Sequence, residues 1–202
     1  MDIAVLHPYV APFVLGCPIP VMNHNIRLSA IEFCNKTRWH EDECATTRAG
    51  ATSVYDINPG TDLEIARITS VSVAGKKIEA ETKSTGLRLI AAESVQAFFV
   101  ALSASQIQIN PNPATTDTVY VVASLRPAIT ATKIDDSLSE WLEAIAGGAI
   151  SRITAIPKQE FTNSDISAYQ RSIFLSGVQS ALVKQGLGSS DIKLQRQIQT
   201  FF

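Results

Sequence analysis

The sequence is short of the residues from which reactive sites are usually built. It has three histidines (His7, His24, His40) and three cysteines (Cys17, Cys34, Cys44). An odd number of cysteines with no short paired spacing argues against a disulfide framework and for free thiols in a reducing compartment. Cys34, His40 and Cys44 do not reproduce the closely spaced ligand pairs of structural zinc sites. Cys34 also falls on an apolar helix stripe, where a thiol acts as a small hydrophobe. There is no Gly-x-Ser-x-Gly elbow. The one adjacent glycine pair, Gly147-Gly148, lies in a helical pattern and lacks the Gly-Lys-Ser/Thr ending of a phosphate loop. Glu41, Asp42 and Glu43 are immediate neighbours, whereas paired catalytic carboxylates must face each other across a cleft. They read as a solvated acidic turn. Neither a cofactor nor a metal is expected.

Other classes are excluded by charge and hydropathy. Basic residues number 17 against 19 acidic ones, a net charge of −2, so bulk charge does not hold the chain to nucleic acid. No apolar run approaches the ~18 residues of a spanning helix, and no membrane association is expected. Met1-Asp2 is not followed by a basic region and a long apolar run, so no signal peptide is expected either.

What the sequence does have is periodicity. Residues 1–20 are apolar but hold Pro8, Pro12, Pro18 and Pro20, which allows short turns and no long helix. Steps of three and four over Val21, Met22, Ile26, Ala30, Phe33 and Cys34 predict a helix at about 20–39. Between 44 and 125 the period falls to two, predicting strands; residues 83–96 fit neither a clear strand nor a helix and read as loop or partial strand. From Ser137, Leu138, Trp141, Leu142, Ile145, Ala149, Ile153 and Ile156 predict a helix at about 137–156, with Ser137 and Glu140 as a capping box. A further helix is predicted at 163–185, with Thr162 and Asp165 as its cap pair and Gly186 as a left-handed end.

These elements together predict an α+β domain over residues 1–186, with helices packed on one side of a small sheet. Its parts are an N-terminal helix, an antiparallel strand-rich middle and two C-terminal antiparallel helices. Residues 187–202 form an extended C-terminal arm in which Ile192, Leu194, Ile198, Phe201 and Phe202 are apolar. Burying two terminal phenylalanines is worth roughly 1.5–3 kcal/mol each, which suits an arm that docks on a partner or folds back on its own core. The small-residue row Ala144, Gly148, Ser151 and Ala155 lets another backbone come close. That backbone could be the following helix or a neighbouring subunit.

Two stretches resemble the head-to-tail adaptor (connector) proteins of tailed bacteriophages. The first runs from Pro8 to Trp39 and includes Val14-Leu15-Gly16-Cys17-Pro18-Ile19-Pro20 and Ala30-Ile31-Glu32-Phe33-Cys34. The second holds Leu125-Arg126-Pro127, the Trp141-to-Ala149 helix and Tyr169-Gln170-Arg171-Ser172-Ile173-Phe174. The resemblance lies in the order and spacing of the three helical segments and spans about residues 3–186; no single motif carries it.

The resemblance implies a structural virion protein in the neck, assembled in the host cytoplasm, and not an enzyme. Such adaptors form a closed homo-oligomeric ring, commonly of about twelve copies, beneath the portal protein. They extend the channel for double-stranded DNA, which passes without specific binding, and offer a docking surface for tail or nozzle proteins. The arm residues Ile192, Leu194, Ile198, Phe201 and Phe202 would then bind the portal. Tyr9, Phe13, Val14, Ala144, Gly148 and Ser151 would form subunit interfaces, and Glu41, Asp42, Glu43, Asp62 and Glu64 would face the channel or its rim. A tail-completion or terminator protein is the alternative within the same channel, and a peptidoglycan hydrolase the alternative outside it.

Overall fold

The computed structural model describes residues 1–49, 52–91 and 96–187; of the arm predicted at 187–202, Leu187 is the last residue of a helix and the rest lies outside the described residues. In chain order the helices are α1 (His7–Val10), α2 (Ile19–Thr37), α3 (Lys83–Ala91), α4 (Leu142–Thr154) and α5 (Ser164–Leu187). The strands are β1 (Glu41–Arg48), β2 (Val54–Asn58), β3 (Leu63–Val73), β4 (Lys76–Glu81), β5 (Phe98–Ser103), β6 (Gln106–Asn110) and β7 (Val119–Pro127).

The predicted layout of helices on one side of an open antiparallel sheet is not what forms. The strands close into a barrel in the order β1-β2-β6-β5-β4-β3-β7, with β7 returning to β1. Closure depends on β1, which pairs through Glu41–Cys44 with β7 and through Ala45–Arg48 with β2. The ladder between β4 and β5 is parallel, and the others are antiparallel. A parallel pair needs a crossover connection, and α3 supplies it. The stretch read as loop or partial strand is therefore partly a helix. At Gly86 the helix lies close against the sheet: a Cβ there would lie 2.1 Å from a methyl of Val100 and 3.4 Å from the Phe98 ring. The inward residues of the barrel, among them Tyr55, Ile57, Val71, Phe99, Ile107, Val121 and Leu125, make one apolar core.

The remaining helices form a second core on α4, where every residue from Ala144 to Ser151 is buried. α4 packs against α1, α2 and α5, so it is the middle of a helical layer and not half of a free antiparallel pair. Gly148 explains how α2 and α5 both come close to it. A Cβ on Gly148 would meet Ser29 Oγ at 2.1 Å and the Phe174 ring at 2.6 Å. Ser29 itself donates to the Ile145 carbonyl at 2.7 Å.

Local signals at the helix ends also resolve differently. Asp135 caps a 3-10 turn over Asp136–Trp141 that precedes α4, its carboxylate accepting from the Ser137 amide at 2.8 Å. Asn163 caps α5 by accepting from the amides of Asp165 and Ile166. Thr162 instead donates to the Ile156 carbonyl, and Gly186 lies within α5. α2 ends at Arg38, which takes the left-handed conformation (φ 53°) and leads directly into β1. The acidic run Glu41-Asp42-Glu43 is therefore the start of a strand, not a turn.

Candidate interaction surfaces

The residues with chemical potential are dispersed or tied up. Among the described residues no group of three or more His, Cys, Asp and Glu side chains could hold a metal ion. His7 Nε2 meets Asn23 Oδ1 at 2.6 Å, and His40 Nε2 lies 3.6 Å from Asp135. Burial pushes the Cys34 thiol up to about 12, with the charge of Asp135 adding to it, which is the opposite of an activated thiolate. Burial also raises the Cys17 and Cys44 thiols.

One polar constellation is well built, and it is a fastener. Glu32 on α2 accepts from Arg171 on α5 at 2.6 and 3.0 Å and from Arg152 on α4 at 2.7 Å. Its side chain is only 16% exposed. The hydrogen bonds from Arg171, then those from Arg152, outweigh the cost of burial and hold its carboxyl at about 2. Bidentate pairing of this kind fixes geometry as well as energy. Glu32 thus ties together three helices. Local periodicity does not single it out, because its partners lie 120 and 139 residues away.

The predicted interface residues divide into two sets. Tyr9 and Phe13 are exposed (41% and 45%). Val14 is a core residue. Ala144, Gly148 and Ser151 are buried within the chain's own helical layer: Gly148 against Ser29 and Phe174, Ala144 against Gly177, while the Ser151 carbonyl accepts from Ser167. Their small size serves packing inside the subunit, which corrects their assignment to a surface. Around Tyr9 and Phe13 the structure adds Val5, Leu15 and Ile19, the last two 77% and 60% exposed. Exposed apolar side chains thus recur along residues 5–19, from the first 3-10 turn through α1 to the first residue of α2. On α5, Tyr169, Leu175, Leu182 and Val183 are also exposed, although Tyr169 and Leu182 recur at helical spacing with the buried Phe174, Val178 and Ala181. No periodicity rule separates these from core positions, since a helix that is apolar on two faces reads as one broad stripe.

The predicted acidic positions are spread along the barrel. Glu41, Asp42 and Glu43 are exposed on β1, with Glu41 accepting from Thr69 at 3.2 Å. Asp62 sits in the turn before β3 with φ 63°. Glu64 is paired with Arg126 at 3.1 Å, so its charge is locally neutralised. The arm residues Ile192, Leu194, Ile198, Phe201 and Phe202 lie outside the described residues.

A groove of about 480 Å³ runs between α4 and α5, bordered by Glu140, Glu143, Ser172 and Ser176. Lys184 already pairs with Glu140 at its edge. Comparison with protein-family models and with curated proteins finds no match. The adaptor resemblance therefore rests on the three helical segments of the sequence alone.

Proposed function

We propose that the chain is a structural subunit of a phage head-to-tail junction. Copies associate into a ring between portal and tail, line or rim the DNA channel, and present a docking surface to tail proteins. The observation that carries this reading is the exposure of Val5, Tyr9, Phe13, Leu15 and Ile19. Five of the exposed large apolar side chains fall within residues 5–19, and apolar surface that is gathered together marks a protein contact. Covering a fully exposed Leu or Phe is worth about 1.5–3 kcal/mol, so covering these partly exposed side chains contributes a fraction of that each and favours association.

The second apolar set on α5 supports a heterologous contact, in which each subunit offers two different patches and rotation closes the ring. A net charge of −2 suits a conduit, because a strongly basic lining would grip the duplex through its phosphates. The deciding experiment is light scattering and electron microscopy of the full chain, alone and with purified portal protein. A ring that forms in either condition, and is lost in the Phe13→Asp/Leu15→Asp double variant, is the expected outcome. A chain that stays monomeric with and without portal overturns the proposal.

A further inference from the structure

The barrel is not sealed between β3 and β4. Their ladder consists of Val71–Ile78, Ser72–Lys77 and Val73–Lys76, beside the Gly75 turn. Beyond it β4 gives Glu79–Glu81 to β5, while β3 from Leu63 to Arg67, and on to Ser70, has ladder partners only in β7 among the described residues. Bulges between Ile65 and Arg67 and between Ile68 and Ser70 interrupt that ladder, and bulges bend a strand. The two strands diverge around a wedge of about 340 Å³, walled by Ile65, Ile68, Ala80, Glu81, Phe99 and Ala101. Ile65 and Phe99 belong to the barrel core, so the wedge leads from solvent to that core. An open strand edge over an apolar floor is the arrangement that accepts an added strand.

The sequence contains a segment of matching character. Ile192, Leu194, Arg196 and Ile198 alternate with Lys193, Gln195, Gln197 and Gln199, the period of a half-buried strand. The segment after Leu187 reaches about 50 Å when extended at ~3.3 Å per residue. It leaves α5 at the joint of helices and barrel, where Gln185 donates to the Arg38 carbonyl at 2.8 Å. The wedge begins at that same joint: Ile65 pairs with Leu125, whose amide donates to the His40 carbonyl at 2.7 Å. In a ring all copies share one height, so an arm leaving at this level meets the neighbour's wedge sideways.

We propose that residues 191–198 of one copy add as a strand to the Leu63–Ser70 edge of β3 in the adjacent copy, seating Ile192, Leu194 and Ile198 in the wedge. This rests on the ring reading above, and it supplies the two unlike patches, donor and acceptor, that such a ring needs. Arg196 falls on the same face as the three apolar residues and meets Glu81 on the wedge wall. Phe201 and Phe202 lie past the added strand and are left to contact the portal.

The test uses full-length chains in a Cys17→Ser background. One preparation carries Ala66→Cys or Thr69→Cys and the other Gln195→Cys or Gln197→Cys; they are mixed, mildly oxidised and run on non-reducing gels, with light scattering on the same samples. A disulfide-linked pair of copies is expected from at least one combination, and it disappears when the donor also carries Leu194→Asp and Ile198→Asp. Amide exchange between Leu63 and Ser70 is expected to slow by at least about tenfold in the assembled chain relative to that double variant. A chain carrying both cysteines that closes on itself, or rings that form with no combination bridging, overturns the strand seat and leaves the ring intact. Monomers with no bridging remove the ring reading as well.

Discussion

Replacing Glu32 with glutamine removes one negative charge from the joint of α2, α4 and α5 while keeping the shape. The carboxyl stands at about 2 in the folded protein against an ordinary 4.5. That difference, 4.5 − 2, corresponds to about 3 kcal/mol of preference for the charged form in the fold. Glutamine keeps one oxygen for Arg171 or Arg152 but turns an NH₂ donor towards the other guanidinium. The two arginines are themselves about a third exposed (37% and 35%), so water recovers part of the loss. A destabilisation of about 2–3 kcal/mol at pH 7 follows, or roughly 5–10 °C in Tm for a chain of this length.

The pH dependence gives the experiment its discrimination. Because the folded carboxyl is depressed, its stabilisation is fully present above about 4.5 and is lost as pH falls towards about 2. Urea melts of the native chain and Glu32→Gln at pH 7, 4.5 and 3 should therefore show a gap that is nearly the same at pH 7 and 4.5 and markedly smaller at pH 3. A gap of the same size at pH 7 and pH 3, or one below about 0.5 kcal/mol at pH 7, refutes the assignment of Glu32 as the helical fastener.

Three further perturbations probe packing and thiol burial. Gly148→Ala places a methyl 2.1 Å from Ser29 Oγ and 2.6 Å from the Phe174 ring, and should cost about 1–3 kcal/mol in a denaturant melt. Gly186→Ala meets nothing within 4 Å and should be neutral or stabilising by about 0.5–1 kcal/mol. Alkylation at pH 8 should modify Cys17 readily and leave Cys34 and Cys44 unreacted until denaturant is added, as peptide mass mapping will show.

Much of the local structure was legible from spacing, and the long-range closure was not. Phe33 and Cys34 recur with Ile26 and Ala30 at helical steps, and they are the buried face of α2. Val119, Val121 and Ala123 alternate with Tyr120 and Val122, and they face the barrel core. Closure depends on pairings such as Glu41 with Ser124, which no local pattern encodes. The charged start of β1 hid it further, because strand propensity rests on apolar and β-branched residues. Ser84, Thr85 and Gly86 are weak helix formers, so α3 was masked; its place is set by Phe98 and Val100 beneath it.

Among the candidate surfaces, Tyr9 and Phe13 stood out because prolines kept their apolar stretch from forming a long buried helix. The small-residue row of α4 supported two readings, and only the positions of Ser29, Phe174 and Gly177 decide for internal packing. The wedge could not be seen at all, since it exists only where two strands, paired at one end, part at the other.

The central claim is that the exposed side chains of Val5, Tyr9, Phe13, Leu15 and Ile19 are covered by other protein in the assembled state. Mass measured by light scattering on the full chain mixed with portal protein, compared with Phe13→Asp/Leu15→Asp, tests it most directly. The account predicts a discrete multimeric complex for the native chain and its loss in the variant, with far-ultraviolet circular dichroism unchanged. A native chain that elutes at the mass of one copy and leaves the portal unoccupied contradicts it.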